Sequence, residues 1–250
     1  MLWHKHDRLR FSGMIPAPTR EDHMSETSPQ IHSGTDAYLA KTTSYFQGER
    51  ADYIAALPTN PEAVVLEVGC SEGSTGALAL AQGKCRRYVG IELHEPSAVI
   101  ARTRLSEVLV GDIEKMLLPF APASFDALII SEVLEHLVDP WAALARLAPL
   151  VRKGGLVFAS SPNIGHHTVI RALLRGRWDL TDQGVMDRTH LRWFTPSSYA
   201  AMFEAAGFAI EAVGPVRPFG WKPRLFNRLT GDRWRHLFMN QSSIRGRKRA

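Results

Sequence analysis

Four short stretches between residues 64 and 136 carry side chains and glycines suited to holding a ligand. The first is Glu67-Val68-Gly69-Cys70-Ser71-Glu72-Gly73, with Gly76 beyond it. Glycines spaced this way let backbone N–H groups approach a bound group that a Cβ would hold off. Glu92, Gly111-Asp112 and Ser131–His136 follow. An ionised acid such as Glu92, 19 residues after Gly73, can accept from both hydroxyls of a ribose. Each such bond is worth about 1.5–3 kcal/mol. His136 and His190 could take a proton from a hydroxyl near neutral pH. Each also has a structural use, His136 in capping the next loop and His190 in pinning its own loop with Asp187. His166 and His167 are adjacent, and adjacent side chains rarely share one role. Glu135 reads as structural or solvated.

These residues need a scaffold that brings them to one edge. Val64–Val68 is a short apolar run that reads as a buried strand, and Ala77–Ala81 continues the glycine turn as a helix. Arg87–Leu93, Val108–Val110, Phe125–Ile130 and Leu156–Ala159 read as further strands, with helices over 96–105 and from Pro140. Lys153-Gly154-Gly155 reads as a turn. Thr195-Pro196 opens a helix that Gly207 closes, since Thr is an N-cap and Pro suits the first turn. Phe208–Val213 and Leu237–Ile244 complete the strands. Strands alternating with helices imply an α/β fold with a mostly parallel, doubly wound sheet. Ligands bind such sheets at the carboxyl ends of the strands, where Glu67–Gly73, Glu92, Asp112 and Ser131–His136 all fall.

The glycines alone allow two cofactors. A dinucleotide site needs G-x-G-x-x-G, but positions 71, 73 and 76 supply Ser, Gly and Gly. The pattern Glu67-x-Gly69-x-Ser71-x-Gly73 instead resembles motif I of the class I S-adenosylmethionine-dependent methyltransferases, with Ser in place of the middle glycine. Phe125–Leu137 resembles motif IV of that family's small-molecule enzymes. Asp187–Thr195 resembles a segment of a bacterial subgroup, of the methyltransferase domain 23 or 11 type, tied to glycan or quinone metabolism. The resemblance spans about residues 45–213. It implies a Rossmann-like seven-stranded sheet of order 3-2-1-4-5-7-6 with an antiparallel last strand. It also implies S-adenosylmethionine as cofactor, held by Glu67, Gly69, Cys70, Ser71, Gly73, Glu92, Leu93, Asp112, Ile113 and Ser131. Methyl transfer to a hydroxyl would use His136 or His190 as base. The cofactor's carboxylate suits the turn's N–H groups and the helix start near Ser74, whereas acids there would repel a pyrophosphate.

At 250 residues and 45% hydrophobic, one core with appendages is expected. The expected organisation is a disordered extension at 1–33, a helical cap at 34–62, the cofactor-binding core at 63–216, and a basic insertion, last strand and flexible tail at 217–250. Met24 is a possible start within the extension. No apolar run approaches the roughly 18 residues of a membrane span, so a cytoplasmic protein, peripheral to a membrane at most, is expected. Cys70 and Cys85 are too few for a disulfide framework and have no partners at metal-ligand spacing, so no metal site is expected. The net charge of +5 divides into +9 from residue 217 onward and −4 before it. The basic excess therefore lies outside the core, which argues against nucleic acid as substrate. Residues 169–175 and 223–238 are basic and aromatic; they either pack one face on the sheet or meet a membrane surface or lipid-linked substrate. The combined expectation is a methyltransferase for a small-molecule acceptor, probed against two alternatives: an RNA or ribosome methyltransferase, and a non-catalytic cofactor-binding protein at a membrane.

Overall fold

The computed structural model describes residues 49–250. The expectations for 1–33 and for the part of the cap before residue 49 lie outside the described residues. The described chain begins with helix α1 (Ala51–Ala56). Strands β1 (Val64–Val68), β2 (Arg87–Glu92), β3 (Glu107–Val110), β4 (Phe125–Ser131) and β5 (Val151–Pro162) follow, with α2 (Ser74–Ala81), α3 (Glu95–Ala101) and α4 (Pro140–Leu147) between them. Then come α5 (His167–Leu173), α6 (Pro196–Ala205), β6 (Phe208–Pro215), α7 (Trp221–Leu229) and β7 (Gln241–Lys248).

The seven strands form one sheet of order β3-β2-β1-β4-β5-β7-β6. β1 to β5 pair in parallel, and β7 runs antiparallel to both β5 and β6. Strand alternation sends successive residues of β1 to opposite faces. Leu66 and Val68 join the core layer that contains Leu144, Leu147, Tyr199 and Phe203 from α4 and α6. Val65 joins the other layer, with Tyr53 and Ile54 of α1, Ala79 of α2, and Tyr88. Helices on both faces leave the strands buried on both sides, which explains their unbroken apolar runs.

Local chemistry sets the helix ends. Thr195 and Ser198 form a reciprocal capping box at α6, with Pro196 in its first turn. Asp139 accepts from Ala142 N–H at 2.9 Å and starts α4.

Three expectations need correction. Helix α3 stops at Ala101 rather than near Leu105. The Lys153-Gly154-Gly155 turn is an irregularity inside a longer β5, where Phe125 pairs with Val151 but Ala127 pairs with Leu156. Two glycines absorb that register change without ending the strand. The last strand starts at Gln241 instead of Leu237 and continues through Lys248, so Arg245–Lys248 is sheet and not flexible tail. Ser242, Ile244 and Gly246 alternate inward, while Arg245 and Arg247 both reach Glu211 on β6. A run of arginines reads as solvated from composition, but period-2 spacing with small inward residues suits a strand paired on both sides, as β7 is between β5 and β6.

Candidate active site

The β1–α2 turn is fixed by backbone bonds and by one buried acid. Gly69 and Cys70 N–H both donate to Ile91 O, at 2.8 and 3.1 Å. Glu92, 2% exposed, accepts from Ser71 N–H through one oxygen at 2.7 Å and from His94 N–H through the other at 2.8 Å. Burial raises its pKa, and those N–H bonds oppose the rise. Gly69 lies at φ +74°, where L-residues are strained. A Cβ there would also meet Val133 Cγ2 at 2.4 Å.

Gly69 and Val133 lie where two compartments of one cleft meet, and both compartments include them. The first compartment runs along the ends of β1, β2 and β3. It is lined by Glu92, Leu93, Asp112, Ile113 and His136, among others. Asp112 is tied by Glu114 N–H at 2.9 Å and by Lys115 Nζ at 2.8 Å. Burial raises its carboxyl and the lysine and N–H bonds outweigh that, leaving it below its usual range.

The second compartment is lined by Arg50, Glu67, Cys70, Ser71, Ser131, Glu132, Glu135, Asp187, His190 and Gln241, among others. Strand alternation turns Glu67 under α2, where Tyr88 Oη donates to it at 2.9 Å. Burial lifts its pKa to about 7, partly opposed by that bond. The Cys70 thiol packs against Gly90, and burial raises it beyond its usual range. Arg50 donates to Ser131 Oγ and Ser160 Oγ, at 2.5 and 2.8 Å, and its guanidinium lies 3.5 Å over the Tyr53 ring.

Nearly all the predicted site residues therefore line one cleft. Gly73 does not. It is the left-handed N-cap of α2, against Leu105 and Ala101 of the α3 region, so its task is to shape the turn. His166 caps α5, and His167 Nδ1 meets Leu237 O at 3.0 Å. Asp187 uses its carboxylate on Thr189 N–H and Oγ, at 2.9 and 2.8 Å, holding the loop's shape. His190 Nδ1 meets Val185 O at 3.1 Å.

Arg50 and Gln241 escaped the sequence reading, whereas Glu132 and Glu135 lie within the Ser131–His136 stretch it singled out. Arg50 sits in a mixed charged stretch that carries no spacing signal. Gln241, which donates to Glu132 at 2.8 Å, arrives only through β7. The Glu132 side chain projects from a left-handed backbone at φ +55°. Glu135 is 1% exposed, not solvated. Glu135, His136 and His190 bring ligand atoms within 4.8 Å of one another. Their sequence separation hid this, since His190 lies far from the other two.

The cleft fits the cofactor that the motifs imply. A Cβ at Gly69 would fill the junction of the compartments, and the two buried acids Glu67 and Glu92 can each accept hydrogen bonds from a bound polar group. Residues 42–213 match a family profile described as a methyltransferase domain. The ubiquinone biosynthesis O-methyltransferase of Xylella fastidiosa strain M23 is 29% identical over 191 residues, covering 70% of this chain and 72% of that one. Among solved structures, a SAM-dependent methyltransferase from Archaeoglobus fulgidus shares the fold at TM-score 0.58 and 19% identity, covering 82% of this chain and 97% of that one. A methyltransferase-like structure from Bacillus halodurans aligns at TM-score 0.56 and 16% identity, covering 80% and 99%. Motif order, strand order, cleft and profile agree, and the chain belongs to the S-adenosylmethionine-dependent methyltransferases of class I.

Proposed function

We propose that this enzyme methylates a hydroxyl oxygen of a small, quinone-related acceptor. The observation that carries the reading is the division of the cleft at Gly69 and Val133. On one side are backbone groups and acids suited to a nucleoside; on the other, a histidine and carboxylates suited to an acceptor. In this reading Glu92 accepts from the ribose hydroxyls and Asp112 from the adenine amino group. Leu93 and Ile113 flank the adenine. The Gly69–Ser71 turn, Arg50, Ser131 and Glu67 meet the amino-acid end, with the guanidinium toward the carboxylate.

Bound S-adenosylmethionine supplies an activated methyl on a sulfonium, so the chain's contribution is mostly positioning. A hydroxyl acceptor must also lose its proton, and His136 with His190 is the corner where that happens. Their rings stand edge to face with centroids 4.8 Å apart. The relatives' name, ubiquinone biosynthesis O-methyltransferase, supports a catechol- or phenol-type acceptor. Labelled cofactor with a panel of prenylated catechols and unmodified RNA tests the reading. Label in a methyl ether is expected, and label entering only RNA overturns it.

A second observation bears on how the acceptor is held. Trp221, Leu225 and Leu229, at successive helical turns of α7, are 70%, 51% and 77% exposed, with Lys222, Arg224 and Arg228 beside them. An apolar stripe edged by cations suits an anionic membrane surface, where a prenylated acceptor resides. Among the described residues no helix is long and apolar enough to cross a membrane. Sedimentation with phosphatidylglycerol vesicles tests this, and equal recovery of the protein with neutral vesicles counts against it.

A further inference from the structure

The first compartment has walls from two separate parts of the chain. One is the loop after β3, with Gly111, Asp112, Ile113 and Glu114; the other is the loop after β4, with Val133, His136 and Leu137. β1 and β2 lie between those strands, so no strand pairing sets the distance between the two loops. Two side chains set it instead. Arg146, half-buried on α4, donates through Nη1 to Ile113 O and Glu114 O, both at 2.9 Å, and through Nη2 to Met116 O. The loop is a single helical turn, with Lys115 and Met116 N–H on Asp112 O at 2.9 and 2.8 Å. A single turn leaves its last carbonyls unanswered at a negative end, and the guanidinium fork answers three of them at once.

Glu114 grips in the opposite direction. Its two oxygens accept from Val138 N–H at 3.1 Å and Asp139 N–H at 2.8 Å, just ahead of α4. Val138 is also held from its other side, because its carbonyl accepts from Arg192 Nη2. Leu191 and Arg192 N–H both donate to Glu135 O, at 2.8 and 3.0 Å. The Val138 side chain is 62% exposed, so hydrogen bonds and not packing fix this residue. An unbroken series of bonds therefore runs from the Asp112 turn through Glu114, Val138 and Arg192 to the loop that carries His190.

We propose that Arg146 and Glu114 are positioning residues for methyl transfer, clamping the purine wall and fixing its distance to the loop that carries His136. Seating the purine then places the reacting corner as well. The purine part of this rests on the assignment of Asp112 to the adenine amino group, although the clamp between the loops does not. Arg146 does not line the compartment, so its effect on a bound cofactor passes through the loop that it holds.

Two measurements on the full chain, neither needing an acceptor, test the clamp. The first compares the affinity of S-adenosylhomocysteine with that of S-inosylhomocysteine, which has a carbonyl where adenine has its amino group. The parent should prefer the adenine compound about 10- to 100-fold. Arg146→Met keeps the apolar stem and removes every donor, so the preference should fall below about 5-fold, and Arg146→Lys, a single-point donor, should restore part of it. The second is hydrogen exchange over residues 133–139. Saturating S-adenosylhomocysteine should slow it about 10-fold in the parent and less than about 2-fold in Glu114→Gln, whose amide turns a donor toward one of the two N–H groups. Denaturant unfolding identifies the folded variants; if Arg146→Met does not fold, Arg146→Lys and Glu114→Gln carry the comparison. Equal protection of the loop in parent and Glu114→Gln overturns the proposal. A full adenine preference retained in Arg146→Met also overturns it. A parent that does not distinguish the two purines removes Asp112 from the adenine, and the exchange measurement alone then decides the clamp.

Discussion

The two compartments of the cleft are built by opposite strategies. The side proposed for the nucleoside uses consecutive strand ends between residues 68 and 137, and its acids are answered by nearby N–H groups. The other side, proposed for the amino-acid end and the acceptor, gathers residues from 49–50, 67–75, 131–135, 162, 184–190 and 240–241, and it retains buried carboxylate oxygens without partners among the described residues. One side is satisfied before any ligand arrives; the other is satisfied only by what it binds. A cofactor shared across a family fits the first design, and an acceptor that differs from enzyme to enzyme fits the second.

The sharpest way to break this contrast is at the boundary. Gly69→Ala forces a Cβ into Val133 and strains a left-handed backbone. We expect about 2–4 kcal/mol loss of stability and more than about 100-fold loss of cofactor affinity, read by denaturant unfolding and calorimetry. Adding Val133→Ala relieves the contact but not the backbone, so recovery should be partial. Full recovery would mean that only space matters there.

The next effect is on the satisfied side. Glu92→Ala removes the acceptor of the Ser71 and His94 N–H bonds and, with it, the proposed ribose acceptor. Cofactor affinity should fall about 10- to 100-fold, with about 1–3 kcal/mol of stability lost. Unchanged affinity would remove Glu92 from the nucleoside site.

A smaller effect concerns Glu67. Its folded pKa of about 7 lies above the ordinary 4.5. The folded state therefore holds the proton more tightly, and this contribution to stability is full at low pH. It is lost as pH rises from about 4.5 through about 7, and it then levels off, for a total of about 3 kcal/mol. Glu67→Gln should remove that share and raise stability at pH 8 relative to the parent. Urea midpoints at pH 5 and 8 measure it, and an identical pH slope in parent and variant would assign the dependence to other buried acids.

The smallest expected change is in Trp221→Ser with Leu229→Ser. Both side chains are exposed, so stability should stay within about 0.5 kcal/mol. Vesicle binding should nevertheless drop. If it does not, α7 is not the contact surface.

The same contrast explains how much could be read beforehand. The strands, and the strand ends that carry Glu67, Glu92, Asp112 and Ser131, were legible because each end sits next to its own apolar run, while the strand order followed from the resemblance of the motifs to a known family. The acceptor side depends on contacts across the fold. Nothing local marks Arg50, and Glu135 looks like any acid beside a histidine. Gln241 enters the cleft because β7 begins four residues later than the apolar pattern of Leu237–Ile244 suggests. The arginines of β7 read as tail because their charge hid the inward Ser242, Ile244 and Gly246.

The position of β7 between β5 and β6 has a consequence for synthesis. β6, at 208–215, leaves the ribosome before β7, at 241–248, yet pairs only with it. At about 5–20 residues per second, β6 waits some seconds with both edges open. During that interval β5 offers its own open edge to the same side, and a premature β5–β6 pairing would exclude the strand that belongs between them. Shortening the intervening segment with α7 is expected to shift the balance between correct insertion and a trapped sheet.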